Sequence, residues 1–147
     1  MRTRILLFTL GIFISNVVPM SVSAQEKTVF FKGHVILDQQ PCEGATIKVC
    51  KYVAENDCSF IVYEAIVGKD GRFEFELLPT GPFLLTIGKE GLSERKITIE
   101  NVLPKQLKYV GVPPFEFDVS MDADAERHSS ISFDAERGAF IIKPATK

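Results

Sequence analysis

From residue 28 onward the apolar residues recur at every second position. Phe73, Phe75 and Leu77 alternate with Arg72, Glu74 and Glu76, and Phe83, Leu85 and Ile87 continue the theme. Ile97 and Ile99 alternate with Lys96, Thr98 and Glu100; Phe115, Phe117, Val119 and Met121 alternate with Glu116, Asp118 and Ser120. A period of two puts neighbouring side chains on opposite faces, so each run predicts a strand with one wet and one dry face. Parity then names the core: Ala45, Ile47, Val49, Phe73, Phe75, Phe83, Leu85, Ile97, Ile99, Phe117 and Val119 point inward. No window of a dozen residues carries a helical apolar stripe. The helix-compatible stretch "MDADAERHSS" at 121–130 has almost nothing to bury. The pattern is that of an all-β chain.

Turn chemistry falls between these runs. The Asp70-Gly71 pair tolerates positive φ and predicts a hairpin between residues 61–67 and 72–78. "LPTGP" at 78–82 stops that strand, because Pro79 and Pro82 lack an N–H and Gly81 permits a reversal. "GKEG" at 88–91 and "ERG" at 136–138 end further segments, and "SISFDAERGAFIIK" predicts a last hairpin over 130–143. About seven to nine strands at such spacing make an antiparallel β-sandwich.

The first 24 residues read as a cleaved signal peptide: Arg2 and Arg4 precede an apolar run from Ile5 to Met20, which ends in Ser21, Val22, Ser23 and Ala24. Gly11, Ser15, Asn16 and Pro19 interrupt the run, which disfavours a retained anchor, and no cysteine before Cys42 could carry a lipoprotein lipid. Residues 25–147 are then one domain, enough for a single core. The excised segment carries two arginines and no acid, so the net charge moves from −2 to −4. This acidic balance without a basic run argues against nucleic acid or an anionic membrane surface as partner.

Cys42, Cys50 and Cys58 are an odd set in a chain bound for an oxidising compartment. Cys42 precedes the "ATIKV" strand and Cys50 follows it, so up to about 26 Å of extended chain separates them, against a bridgeable Cα distance under about 7 Å. Cys58 opens the next strand after the loop "KYVAEND", which brings it back beside Cys50. The expected bridge is Cys50 to Cys58, with Cys42 unpaired.

"GHVILDQQPCEGATIKV" at 33–49 resembles the first signature of the carboxypeptidase regulatory-like family of prealbumin-like, Ig-like sandwiches through Gly33, Val35, Asp38, Pro41, Gly44, Ala45, Ile47 and Val49. "DGRFEFELLPTGPFLL" at 70–85 resembles the second, through Asp70, Gly71, Phe73, Phe75, Leu78, Pro79, Gly81, Phe83 and Leu85, with Phe83 where the family has tyrosine. The two cover roughly residues 29–92. The resemblance implies a transthyretin-like scaffold used as an accessory, adhesive or periplasmic binding module. It implies no chemistry, since every matched position is a scaffold position. Related hydroxyisourate hydrolases carry several histidines and a Tyr-Arg-Gly-Ser tail; this chain has His34 and His128 alone and ends "IIKPATK". Pilin-type relatives with a Lys-Asn isopeptide bond need an acid in the strand after the L-P-x-G turn, and "PFLLTIG" has none to serve Lys32.

The remaining residues give no catalytic constellation. His34 reads as a structural histidine on a strand, and His128 lies in a polar connection with no cysteine or second histidine near it. Asp118, Asp122 and Asp124 read as a solvated acidic face, lacking the glycine and distal acid of a calcium loop. No serine sits in a Gly-x-Ser-x-Gly elbow, and Glu74 and Glu76 share the wet side of one strand. The expectation is a secreted or periplasmic, non-catalytic module without metal or cofactor. It would bind a protein or cell-envelope component through loops or a strand edge, with no membrane span after signal cleavage. Carbohydrate recognition is the alternative, with Tyr52, Tyr63 and Tyr109 as candidate ligand-facing aromatics and no tryptophan to supply a broad stacking platform.

Overall fold

The structure, a computed structural model, describes residues 25–54 and 57–145; the segment read as a signal peptide lies outside the described residues. Two sheets close over one core. The first is built on β1 (Val29–Leu37), which pairs antiparallel with β2 (Gln40–Pro41) and, further along the same strand, with β5 (Arg72–Leu77). β8 (Phe115–Glu116) and β9 (Val119–Ser120) pair parallel with β1. The second sheet has the order β11-β10-β7-β6-β3-β4. Its members are β3 (Thr46–Ala54), β4 (Asp57–Ile66), β6 (Gly81–Gly88), β7 (Arg95–Asn101), β10 (His128–Asp134) and β11 (Ala139–Pro144). One short helix, α1 (Leu107–Val110), lies in the connection from β7 to β8.

The all-β sandwich expected from the alternation is what forms, and parity places the core correctly. All eleven inward positions named above are buried, joined by Val29, Phe31, Val35, Leu77, Met121 and Ile131. Parallel pairings enter because the chain after β7 crosses to the first sheet as β8 and β9, then returns as β10 beside β7.

The hairpin expected between residues 61–67 and 72–78 does not form. β4 belongs to the second sheet and β5 to the first. Val67 is still held to β3's entry by bonds exchanged with Gly44 and Ala45. After a tight turn in which Gly71 N donates to Gly68 O at 3.1 Å, the Gly71 carbonyl accepts Val35 N at 2.8 Å, which hands the chain to β1. Gly71 has φ +72°, and a Cβ there would lie 2.8 Å from the Val35 carbonyl oxygen, so the position serves a crossing between layers. β4 and β5 therefore face each other across the core, where the Tyr63 and Phe75 ring centroids are 5.7 Å apart.

The Cys50–Cys58 disulfide is present, with Cα atoms 5.3 Å apart, and Cys42 is buried with a free thiol. Such a bridge belongs to an oxidising compartment. The expected loop "KYVAEND" is instead largely strand: β3 runs to Ala54 and β4 starts at Asp57. The bridge closes diagonally across a shifted ladder in which Cys50 faces Ile61 and Tyr52 faces Cys58.

Candidate functional site

β1 and the segment 115–122 are zipped by alternating kinds of acceptor. Phe117 N donates to Lys32 O at 3.0 Å and Met121 N to Ile36 O at 2.8 Å. Between and beyond these, His34 N donates to Asp118 Oδ1 at 3.1 Å and Asp38 N to Asp122 Oδ1 at 2.8 Å. Two of the three acids considered for calcium thus stand in for missing ladder acceptors along β1. His34 Nδ1 also lies 3.1 Å from Asp118 Oδ1, so the histidine shares this structural contact. The Asp38 amide, and after it the Ser120 hydroxyl, hold the Asp122 carboxyl below its ordinary range by bonding its charged form. His128 starts β10 in the opposite sheet from His34. Among the described residues no group of three or more His, Cys, Asp or Glu side chains is placed to hold a metal ion.

A cavity of about 790 Å³ opens at one end of the sandwich, beside the β1–β2 turn. Asp38 and Gln39 form that turn with φ of 51° and 62°, conformations that suit glycine or asparagine better than glutamine. Arg95 lines the same cavity although only 1% of it is exposed. Its guanidinium donates to the carbonyls of Ser93, Ser120 and Asp122 at 2.8, 2.9 and 2.5 Å, which ties β7 to the end of β9 and to Asp122 beyond it. The sequence reading missed this clamp, yet parity carried the signal: Arg95 and Asn101 share the inward register of Ile97 and Ile99.

A groove of about 820 Å³ lies on the side where β4 and β5 approach, with walls from Tyr63, Ala65 and Ile66 and from Arg72, Phe73 and Glu74. Lys32 Nζ sits 3.2 Å from Glu116 Oε1 on its rim. This exposed pair contributes little stability. β4 is the terminal strand of the six-stranded sheet, and its far edge has no ladder partner among the described residues. Its pairing with β3 is regular from Tyr63 to Ile66, then bulged toward Cys58. The bulges turn three consecutive apolar side chains into solvent: Phe60, Ile61 and Val62 are 60%, 49% and 39% exposed, and Ile66 is 76% exposed. Other edges are guarded differently, β11 by Lys143 and Pro144 and β5 by Arg72, Glu74 and Glu76.

The three candidate tyrosines do not form a platform. Tyr63 is half-buried against Phe75, Tyr52 lies on β3 opposite Cys58, and Tyr109 is on α1. Among the described residues no ring contact joins any two of them.

No family model matches the chain, and no curated protein does. Solved structures do show likeness. The dioxygenase domain of a dioxygenase carbohydrate-binding protein fusion from Streptomyces sp. SirexAA-E is 13% identical, with 69% of this chain and 84% of that chain covered and a TM-score of 0.44. For 3-chlorocatechol 1,2-dioxygenase from Rhodococcus opacus the values are 16%, 71%, 62% and 0.44. For a DUF3823 family protein from Parabacteroides merdae they are 15%, 82%, 60% and 0.40. The chain spans less than two thirds of the last two. The sandwich itself is read from this chain's own sheets. Among the described residues no helix is long and apolar enough to cross a membrane.

Proposed function

We propose that this chain is an exported, non-catalytic β-sandwich module of the carboxypeptidase regulatory-like kind, which docks a protein of the cell envelope on its β4 side. The observation that carries the reading is the row of exposed apolar side chains Phe60, Ile61, Val62 and Ile66 on the terminal strand β4, whose far edge has no ladder partner among the described residues, beside a groove. Edge strands with open backbone groups recruit extended segments, and clustered exposed apolar residues mark contact sites. The disulfide supports it further, because tying β4 to β3 holds the strand ready and lowers the ordering cost of binding. Carbohydrate recognition finds less support, since the three tyrosines are dispersed and Tyr63 is turned onto Phe75.

Amide hydrogen exchange tests the reading. Incubation of the exported protein with an envelope fraction of its host should slow exchange from Phe60 to Ile66, and Ile61→Lys should abolish the effect while leaving the melting curve unchanged. Protection confined to the 38–39 and 121–124 end of the sandwich would move the site elsewhere.

A further inference from the structure

We infer that the Cys50–Cys58 bridge is a redox-set lock on the register of β4: oxidised, it holds Phe60, Ile61 and Val62 in solvent, and reduced, it lets β4 slide into a regular ladder that breaks up this row. The inference rests on the docking reading above for its consequence, which is regulation of that face. From Thr46 to Val49 the ladder between β3 and β4 is regular, with Thr46 facing Ile66 and Val49 facing Tyr63. Beyond Val49 it slips. One step along β3 reaches Cys50, but its partner is Ile61, two steps along β4. Two steps further along β3, Tyr52 faces Cys58, three steps along β4. Two residues of β4 are thereby left without a place in the ladder, as at bulges, before the slip is partly returned where Ala54 faces Asp57.

A ladder continued without slip from Val49 and Tyr63 places Cys50 opposite Val62, Lys51 opposite Ile61, Tyr52 opposite Phe60 and Ala54 opposite Cys58. Cys58 then lies four residues along from Cys50, roughly 13 Å at the rise of a strand, whereas a bridge needs Cα atoms within about 7 Å. Bridge and regular ladder therefore exclude each other. The faces change with the register. In the slipped ladder Ile61 faces Cys50, which alternates with the inward positions of Val49 and Lys51. In the regular ladder it faces Lys51, whose Nζ sits 4.8 Å over the buried Phe83 ring. Ile61 then turns inward in line with Tyr63 and Ala65, while Phe60 and Val62 lie on the outer face across from Tyr52 and Cys50. Burial of Ile61 and recovery of ladder bonds at the bulges favour this register once the covalent tie is gone. Cys58 is the more accessible partner, half-buried where Cys50 is buried. The thiolate of a dithiol reductant attacks Cys58 Sγ, and the S–S bond breaks with its electron pair on Cys50 Sγ, which takes a proton. The reductant's second thiol then displaces Cys58 as a thiol and the reductant leaves as its own disulfide.

NMR of the exported protein, oxidised and then treated with dithiothreitol, reads the register from cross-strand proton contacts. Reduction should replace the contacts of Tyr52 with Cys58 and of Cys50 with Ile61 by those of Tyr52 with Phe60 and of Cys50 with Val62, while contacts between β1 and β5 persist. Cys50→Ser/Cys58→Ser should show the regular contacts without reductant. In the presence of the host envelope fraction, amide protection from Phe60 to Ile66 should be lost on reduction and return on reoxidation. Unchanged contacts in the reduced protein, loss of both sets, or unfolding of the whole sandwich overturns the inference, as does a regular ladder that leaves the protection unaltered. In each of these cases protection of the oxidised protein keeps the docking reading. A register change in a protein whose oxidised form is never protected defeats the docking reading and leaves the lock in place.

Discussion

Gly33→Ala tests the joint between β1 and the β8–β9 segment. A Cβ on Gly33 would lie 1.6 Å from the Phe117 carbonyl oxygen and 2.7 Å from its carbon, with the Phe73 ring at 3.0 Å on the other side. Because real Cβ contacts essentially never fall below 3.0 Å, the Phe117 backbone must retreat by about 1.4 Å. A retreat of that size breaks the Phe117 N to Lys32 O bond and strains both contacts between His34 and Asp118. Overpacking costs about 1–3 kcal/mol, and each lost hydrogen bond adds about 0.5–1.5 kcal/mol, so a total of roughly 2–5 kcal/mol is expected. Urea unfolding of the oxidised protein measures it. Once Asp118→Ala has removed the His34 contacts, Gly33→Ala should cost less than it does alone, because the two changes disrupt one joint. A midpoint within about 0.5 kcal/mol of wild type would show that the carbonyl of Phe117 does not occupy that space, and the β1–β8–β9 register would be wrong.

Phe75→Ala should cost about 3–5 kcal/mol, since this ring is buried among Phe31, Phe73 and Tyr63, whereas exposed Glu74→Ala should cost well under one; comparable urea midpoints would refute the inward register. Gln39→Gly should raise stability by about 0.5–1 kcal/mol in thermal unfolding, because relief of a left-handed glutamine exceeds the added chain entropy, and a lower melting temperature would contradict the turn geometry. Asp122 has a lowered folded-state pKa, so its contribution to stability is fully present above its ordinary value of 3.8 and is lost as pH falls from there through the depressed value. Asp122→Asn should therefore reduce the slope of stability against pH below about 4, read by urea midpoints, and an unchanged slope would mean the carboxylate does not hold the Asp38 amide.

The candidate surface was only partly legible from the residues. An exposed strand edge could be expected of any sandwich, but Phe60, Ile61 and Val62 in sequence look like ordinary core, because three consecutive apolar residues suit a strand buried on both faces. Their exposure depends on β4 ending the sheet and on the bulges that misalign it with β3. Asp118 and Asp122 were legible only as part of a solvated acidic face with Asp124, whereas their bonds to His34 and Asp38 rest on a constant parallel register that brings distant segments together.

Local chemistry was enough to set strand parity, hence the inward faces of Phe73, Phe75, Ile97 and Ile99, and the bridge between Cys50 and Cys58, because side-chain alternation and chain reach act over a few residues. Partner choice was settled only by tertiary structure. The turn at Asp70-Gly71 fits a hairpin and a crossing between sheets equally well, and what separates them is Val35 waiting on β1 to bond the Gly71 carbonyl. The same holds for the parallel pairing of β7 with β10 and for the place of β4 at the end of its sheet: period two says which face of a strand is dry, but which strand lies beside it depends on long-range packing that no local pattern encodes.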